Sequence, residues 1–479
     1  MTRTQPNIVL IISDDHGYGD LGVEGAAQGI HTPNLDRLQR AGTTFTRGYV
    51  SAPICSPSRA GLIAGAHQAR WGARWFDTSS FPPEDRECGP EALRRLGYRT
   101  GYFGKVHYGQ ERAGDRACPE NHGFDESLYG LAALGMGRLH YMTHSAEQSR
   151  EQPEVARRHG TQPLYESGSE VDTDTHLSEL FADRAIEFIQ GRGRSENLDA
   201  DAEQPYFCMV AFNAVHNFTW QLPTEELERH GLPAHPDFDP SVEEYVDWYD
   251  GAISPNLPDG RRYYLAQLEL MDRHIGRILD AVEASETAED TMVVYLTDNG
   301  GSTCNFGDNT PLDGTKYTLF EGGIRVPFIV RWPGVAEPGT RSDALVSALD
   351  LMPTFVAAAS DRQEQLADAD GQDLADVLAG SSAGHEALFF DTGAQQAVVR
   401  PDVKWRRIVD EGEKMREALL RVEHTDIGTG EHLVRFRDGL ADETGTTGAP
   451  DAGAQDADAA ALAELRAEFE QWRSALSAP

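Results

Sequence analysis

The 479-residue sequence predicts an α/β fold, a sheet of buried parallel strands between layers of helices, followed by a smaller C-terminal α+β part. Three observations carry this. Apolar, β-branched runs end abruptly in polar groups, as strands buried on both faces do. Stretches with helical apolar spacing lie between those runs, so strands and helices alternate. The chain also exceeds what one hydrophobic core serves, and beyond about residue 378 its character changes to short apolar runs. The expected division is residues 1–378 and 379–479.

The first strand is Asn7-Ile8-Val9-Leu10-Ile11-Ile12-Ser13, which runs into Asp14 and Asp15. In open α/β sheets, ligands gather at the carboxyl ends of strands. Two adjacent carboxylates placed there suit a hard cation such as Ca²⁺ or Mg²⁺. A second run, Thr291 to Thr297, ends the same way in Asp298-Asn299-Gly300-Gly301. Parallel strands put both ends on one edge, so the four oxygen-bearing groups can converge. Without a cation the carboxylates would repel one another. A third run, Phe207 to Phe212, leads to His216.

Between these lie helices. Thr32-Pro33-Asn34-Leu35-Asp36 carries a helix start, with proline in the first turn. Leu177 to Ile189 reads as amphipathic, with Leu177, Leu180, Ala185, Phe188 and Ile189 as its apolar side. Tyr264 to Val282 is another helix and precedes the strand that delivers Asp298. The polar stretches 145–170 and 191–204 read as exposed insertions, placed to wall a pocket. Trp220, Trp248 and Tyr249 read as packing aromatics, with stacking on a substrate ring as the alternative. In the C-terminal part, short strands are expected at 387–390, 397–400 and 404–409, a loose loop at 445–454 and a helix at 459–476.

The segment Cys55-Ser56-Pro57-Ser58-Arg59, followed by the small apolar run Ala60 to Gly65, is an electropositive loop entering a helix. That setting activates a cysteine or its oxidised product. The segment resembles the maturation motif of the type I sulfatases, members of the alkaline-phosphatase-like superfamily. In them the cysteine is converted to formylglycine, whose hydrate is the nucleophile. Gly104-Lys105-Val106-His107, Pro311 to Lys316, and Glu321-Gly322-Gly323-Ile324-Arg325-Val326-Pro327 resemble further elements of the same family.

The resemblance implies an alkaline-phosphatase-like α/β/α sandwich with a smaller C-terminal α+β subdomain. It implies Ca²⁺ held by Asp14, Asp15, Asp298, Asn299 and the formylglycine made from Cys55. It implies that Lys105 and Lys316 hold the sulfuryl oxygens and that Arg59 orients the hydrate. His216 or Lys316 would protonate the leaving oxygen, Asp298 or the metal would help deprotonate the hydrate, and His107 would take the proton that lets sulfate leave. The implied activity is sulfate-ester hydrolysis on a small, saccharide-like substrate, after maturation by a formylglycine-generating enzyme. Three alternatives stay open: an arylsulfatase, a phosphonate or phosphate-ester hydrolase on the same scaffold, and a catalytically silent Ca²⁺-binding relative.

Composition sets limits on partners. Lysine and arginine number 42 against 78 acidic residues, for a net charge of −36. That excess argues against nucleic acid and anionic membranes. It also requires a local reversal of potential wherever an anionic ester binds. Five scattered cysteines, Cys55, Cys88, Cys118, Cys208 and Cys304, outline no disulfide framework. No signal peptide is visible ahead of the first strand and no run is long enough to span a membrane, so a cytoplasmic location is expected.

Overall fold

A computed structural model describes residues 5–22, 29–192, 204–409, 430–437, 439–441 and 452–476. Its main sheet has ten strands: β1 (Asn7–Ser13), β2 (Thr43–Phe45), β4 (Arg99–Val106), β5 (Glu126–Leu131), β6 (Leu164–Glu166), β7 (Ser169–Val171), β8 (Tyr206–Ala211), β9 (Thr291–Thr297), β10 (Phe328–Arg331) and β11 (Thr340–Ser342). A short pair, β3 (Gly48–Tyr49) and β12 (Val346–Ser347), lies apart from it. The spatial order is β11-β2-β10-β9-β1-β8-β4-β5-β6-β7. The five central strands, β9-β1-β8-β4-β5, run parallel. Their carboxyl ends therefore share one edge, as the sequence requires.

The two faces of β1 show why the sheet is a middle layer. Ile8, Leu10 and Ile12 pack with Ala60, Ile63, Leu93, Met352 and Phe355 on one side. Val9 and Ile11 pack with Leu35, Leu38, Phe181, Ala185, Met271 and Ile275 on the other. Strand side chains alternate between faces, so a run that is apolar at every position needs cover on both. The helices 33–41, 177–189 and 260–283 form one layer, and 55–64, 89–95 and 351–359 the other.

The helix Leu177–Ile189 buries Phe181 and Ala182 besides the expected residues, while Leu180 is only half-buried. The face runs through 177, 181, 185 and 188, a spacing that places Leu180 at its margin. The stretch 145–170 is not simply an exposed insertion. It forms the helices Ala146–Glu151 and Pro153–His159 and the edge strands β6 and β7, with Ala156, His159 and Leu164 buried. Its polar content masked those few anchor positions. Most of the expected insertion 191–204, and most of the loop 445–454, lie outside the described residues.

After the helix Ala375–Leu378 comes an antiparallel sheet of β13 (Leu388–Asp391), β14 (Gln395–Val399), β15 (Val403–Ile408), β16 (Gly430–Arg437) and β17 (Leu440–Ala441). Leu388, Phe390, Ala397 and Val399 share the apolar core that contains the 55–64 and 351–359 helices. Val398 and Trp405 face Leu465 and Phe469 of the last helix, Ala452–Leu476, which starts earlier than its sequence pattern indicates. No described helix is long and apolar enough to cross a membrane.

Candidate active site

Ten residues from six segments meet at the carboxyl edge of the parallel strands. β1 delivers Asp14 and Asp15, β9 delivers Asp298 and Asn299, and β4 ends in Lys105 and Val106 with His107 just beyond. Asp15 adopts a left-handed backbone (φ 60°), which a non-glycine residue holds only when its surroundings fix it. Here its N–H donates to Asp298 Oδ1 at 3.3 Å, and Asp14 exchanges backbone hydrogen bonds with Ala214 and Val215, both 2.8 Å.

β8 stops at Ala211, five residues short of His216. The intervening loop folds over the strand ends. Tyr141 Oη donates to the carbonyls of Asn213 (3.0 Å) and His216 (2.7 Å), and Asn305 Nδ2 donates to Val215 O at 2.6 Å. Neither Tyr141 nor Asn305 is marked by any sequence signal.

Cys55 opens the buried Cys55–Ala64 helix, which has no side-chain cap at its start. Its thiol lies 3.6 Å from Asp14 Oδ1 and 4.0 Å from Asp15 Oδ1, and accepts from Lys316 Nζ at 3.0 Å. The electropositive setting read from the sequence does not activate this thiol. Burial pushes it up, and Asp298 and Asp14 add to that, against the opposing pull of Lys316. Residue 55 is thus a poor nucleophile as an unmodified cysteine. All five cysteines are free.

Charges alternate through the buried cluster. Arg59 Nε donates to Asp298 Oδ2 at 2.7 Å, and its Nη2 is 3.4 Å from Asp14 Oδ2. Lys105 Nζ pairs with Asp14 and donates to Gly137 O at 2.6 Å. Lys316 Nζ lies 2.7 Å from Asp15 Oδ1. Burial drives Asp14 upward, but Lys105, Arg59 and Lys316 together outweigh it and hold Asp14 below the usual carboxylate range. Asp15 is raised to about 6, by burial and by its neighbours Asp14 and Asp298, with Lys316 opposing. Burial and the surrounding cations hold His107 and His216 well below ordinary histidine values, so both rings are neutral near pH 7.

The oxygen atoms of the donor set suit a hard cation. Asp14, Asp15, Cys55 and His216 each offer a ligand atom, all within 4.8 Å of one another. Asn299 Nδ2 donates to Asp15 Oδ1 at 2.7 Å, while its buried Oδ1 has no hydrogen-bond partner. An orphaned amide oxygen beside carboxylates is a donor of the kind that hard cations take. His216 joins this cluster, beside the proton-donor role that the family resemblance implies for it.

The Glu-Gly-Gly motif has a steric reason. A Cβ on Gly300 would sit 1.8 Å from Gly322 O, and one on Gly323 2.0 Å from Thr318 O. The Lys316 loop and the end of β9 thus pack backbone on backbone. Lys316 N donates to Gly301 O (3.1 Å) and Tyr317 N to Pro53 O (2.7 Å). Tyr317 holds a left-handed backbone, φ 76°. The loop is clamped from the C-terminal sheet. Gln395 Nε2 donates to Tyr317 O at 2.7 Å, and Gln395 Oε1 accepts from Leu319 N at 3.0 Å. Next to it, buried Glu321 pairs with Lys404 Nζ at 2.9 Å and accepts from Tyr49 Oη at 2.7 Å.

Above the cluster opens a cavity of about 800 Å³, lined by Cys55, His107, His216 and Lys316 at its base. Tyr249 lines it too, whereas Trp220 and Trp248 are buried in a separate apolar cluster and belong to packing. Glu111 in the wall uses Oε2 to accept from the N–H groups of Tyr108 (3.2 Å) and Gly109 (2.9 Å). Burial raises its carboxyl from the ordinary 4.5 to about 7. The folded state therefore holds this proton more tightly than the unfolded chain. Stability is fully present below about pH 4.5 and declines as pH rises to about 7, by roughly 3 kcal/mol for this one group. Chemical unfolding between pH 4.5 and 8 is expected to show that decline in the wild type and its loss in Glu111→Gln. An identical pH profile in both would refute the assignment.

A three-layer α/β protein that gathers carboxylates, an amide and buried lysines at its strand ends has the make-up of an ester hydrolase. Residues 6–361 match the family model described as Sulfatase. The chain is 30% identical over 426 residues to arylsulfatase G of Homo sapiens, covering 81% of this chain and 72% of that protein. It is 28% identical over 383 residues to arylsulfatase J of Mus musculus, covering 78% and 56%. It is also 28% identical over 378 residues to human N-acetylgalactosamine-6-sulfatase, covering 74% and 62%. The chain thus spans between about half and three-quarters of the length of these relatives. Among solved structures, Ps i-CgsB superposes with a TM-score of 0.73 at 25% identity, covering 98% of this chain and 93% of that one. The same protein has been solved in complex with k-i-k-neocarrahexaose. The chain belongs to the sulfatase family, sulfuric ester hydrolases of alkaline-phosphatase-like fold.

Proposed function

We propose that this protein hydrolyses sulfate esters on a small sulfated saccharide, with Cys55 converted to formylglycine by a formylglycine-generating enzyme and with Ca²⁺ in the strand-end site. The observation that carries the reading is the convergence of Cys55, three carboxylates, Asn299 and two buried lysines within one charge-alternating cluster. N-acetylgalactosamine-6-sulfatase among the relatives supports a sugar substrate.

Asp14, Asp15, Asp298 and Asn299 would hold Ca²⁺ beside residue 55, where the ion would offset sulfuryl charge and the aldehyde hydrate would provide the attacking hydroxyl. Lys105 and Lys316 are aimed at the same space and would bind the sulfuryl oxygens, where charge develops. Arg59 fixes Asp298 and Asp14 relative to the helix that starts at Cys55. His216 Nδ1 faces Asn217 O at 3.1 Å, which sets the proton on that nitrogen and leaves Nε2 as an acceptor. Lys316, kept protonated against the effect of burial chiefly by Asp15, is then the proton donor to the leaving oxygen. His107 is neutral, its buried Nδ1 has no partner, and it is the residue able to take up a proton as sulfate leaves.

The test compares nitrophenyl sulfate with the matching phosphate and phosphonate, using protein co-produced with the maturation enzyme. Sulfate turnover is expected to exceed the other two by at least about 100-fold in kcat/KM. Preference for phosphate or phosphonate would replace this reading with the hydrolase alternative, and no turnover of any ester would indicate a silent relative.

A further inference from the structure

The cavity above the sulfate site has a charge balance opposite to that of the whole chain. Acidic residues outnumber basic ones 78 to 42 overall. Among the residues that line the cavity, Arg112, Arg138, Arg157 and Lys316 face a single carboxylate, Glu111. Lys316 belongs to the sulfate pocket, and Glu111 is taken up by the backbone of its own loop. The remaining three arginines lie beyond the reacting group.

They are not equivalent. Arg138 is 6% exposed and committed to structure: Nη1 donates to Arg158 O and Tyr245 Oη, both 2.8 Å, and the guanidinium sits 4.9 Å from the Tyr249 ring. Arg158 covers Tyr245 at 4.4 Å, and the Tyr245 and Tyr249 rings stack with centroids 5.5 Å apart. These contacts hold two tyrosines as a fixed wall of the cavity. Arg112 is exposed, and its side chain makes no hydrogen bond or ion pair with the described residues. Arg157 touches only Glu154, at 3.2 Å, in an exposed pair one helical turn apart. Such a pair is weak and yields readily to a better-placed anion. Arg112 and Arg157 come from different segments, a loop after β4 and the Pro153–His159 helix, yet open into the same space.

We propose that the outer part of this cavity is a second anion subsite, in which Arg112 and Arg157 bind a carboxylate or second sulfate carried by the substrate while Tyr245 and Tyr249 support its sugar rings. This rests on the sulfate-ester reading and narrows it to saccharides with at least two negative charges. In a strongly acidic protein an unpaired arginine beside the reaction centre draws such a substrate in and excludes neutral sugars.

The test uses a panel of disaccharides monosulfated on the amino sugar, each with its uronic acid either intact or reduced to the alcohol. A second panel replaces the carboxylate with a further sulfate. Wild-type kcat/KM is expected to be at least about tenfold higher for the doubly charged member of each pair, mostly through KM, and the ratio should shrink with added salt. In the double variant Arg112→Gln/Arg157→Gln the ratio should collapse to below about threefold. Which panel shows the larger ratio tells a carboxylate from a sulfate as the preferred group. A wild-type ratio near one, or a double variant that slows both members equally, overturns the subsite. Calorimetric binding of the same pairs to Cys55→Ala protein separates this from the activity itself. Tight, Arg112- and Arg157-dependent binding without turnover in matured protein would sink the hydrolytic reading and keep the anion site; equal binding of both members would sink the anion site alone.

Discussion

Cys55→Ala is expected to lose multiple-turnover sulfatase activity by roughly 10⁴-fold or more in kcat, while substrate affinity stays within a few-fold of the matured wild type. The asymmetry follows from the geometry. Lys105, His107, His216 and Lys316 are positioned by β4, by the loop that Tyr141 holds, and by the Gln395 clamp, and of these four Lys316 alone has a hydrogen bond to the cysteine side chain, through Nζ at 3.0 Å. Cys55→Ser should also be nearly inactive, because serine has one hydroxyl where an aldehyde hydrate has two. The matured wild-type peptide should carry an aldehyde by mass spectrometry. Full turnover by protein shown to retain an unmodified thiol would refute the mechanism, since burial pushes that thiol away from its reactive form.

Asp298→Ala should be the most damaging change at the strand ends, in two separable ways. It removes a carboxylate from the cation site, and activity is expected to fall by at least about 10³-fold. It also strips the 2.7 Å partner from Arg59 where both side chains are at most 2% exposed. Leaving a buried charge uncompensated costs about 3–5 kcal/mol, so the variant should melt well below the wild type. Asp298→Asn keeps the shape and tells the two effects apart. Ca²⁺ supplies the control: it should raise the melting temperature of the wild type, and a chelator should reverse this. If Ca²⁺ gives no stabilisation and metal-stripped protein keeps normal turnover, the Ca²⁺ assignment fails.

Much of this site was legible because the chemistry is written in short, local strings. A strand apolar at every position must be central, and Asp14-Asp15 or Asp298-Asn299 at its end must lie at the sheet edge, where the structure places them. The lysine loop and its glycines were equally visible, since Gly322 and Gly323 answer a backbone approach that no other residue permits. What escaped detection is non-local. Tyr141 steadies His216 across 75 residues through a carbonyl, and backbone acceptors leave no trace in composition. The helix Pro153–His159 hides a few buried anchors among polar neighbours, so it read as an insertion although it supplies Arg157 to the cavity. The activating field expected at Cys55 was misjudged because the sequence reveals nearby cations but not the depth at which the thiol is buried.

The clamp at Gln395 bears on where this enzyme can be cut. The family-model match ends at residue 361, yet the amide that pins both Tyr317 and Leu319 lies 34 residues later, on β14. A fragment ending at that boundary would keep Asp14, Cys55, Lys105, His216, Asp298 and Lys316 and still lose the brace on the Lys316 loop. Shortened versions, chimaeras and tagged fusions should therefore be designed around the whole antiparallel sheet. In evolutionary terms the two halves of the chain cannot be exchanged independently: a tail borrowed from another member must bring its own brace for the lysine, or the recipient inherits an intact but misaimed reaction centre.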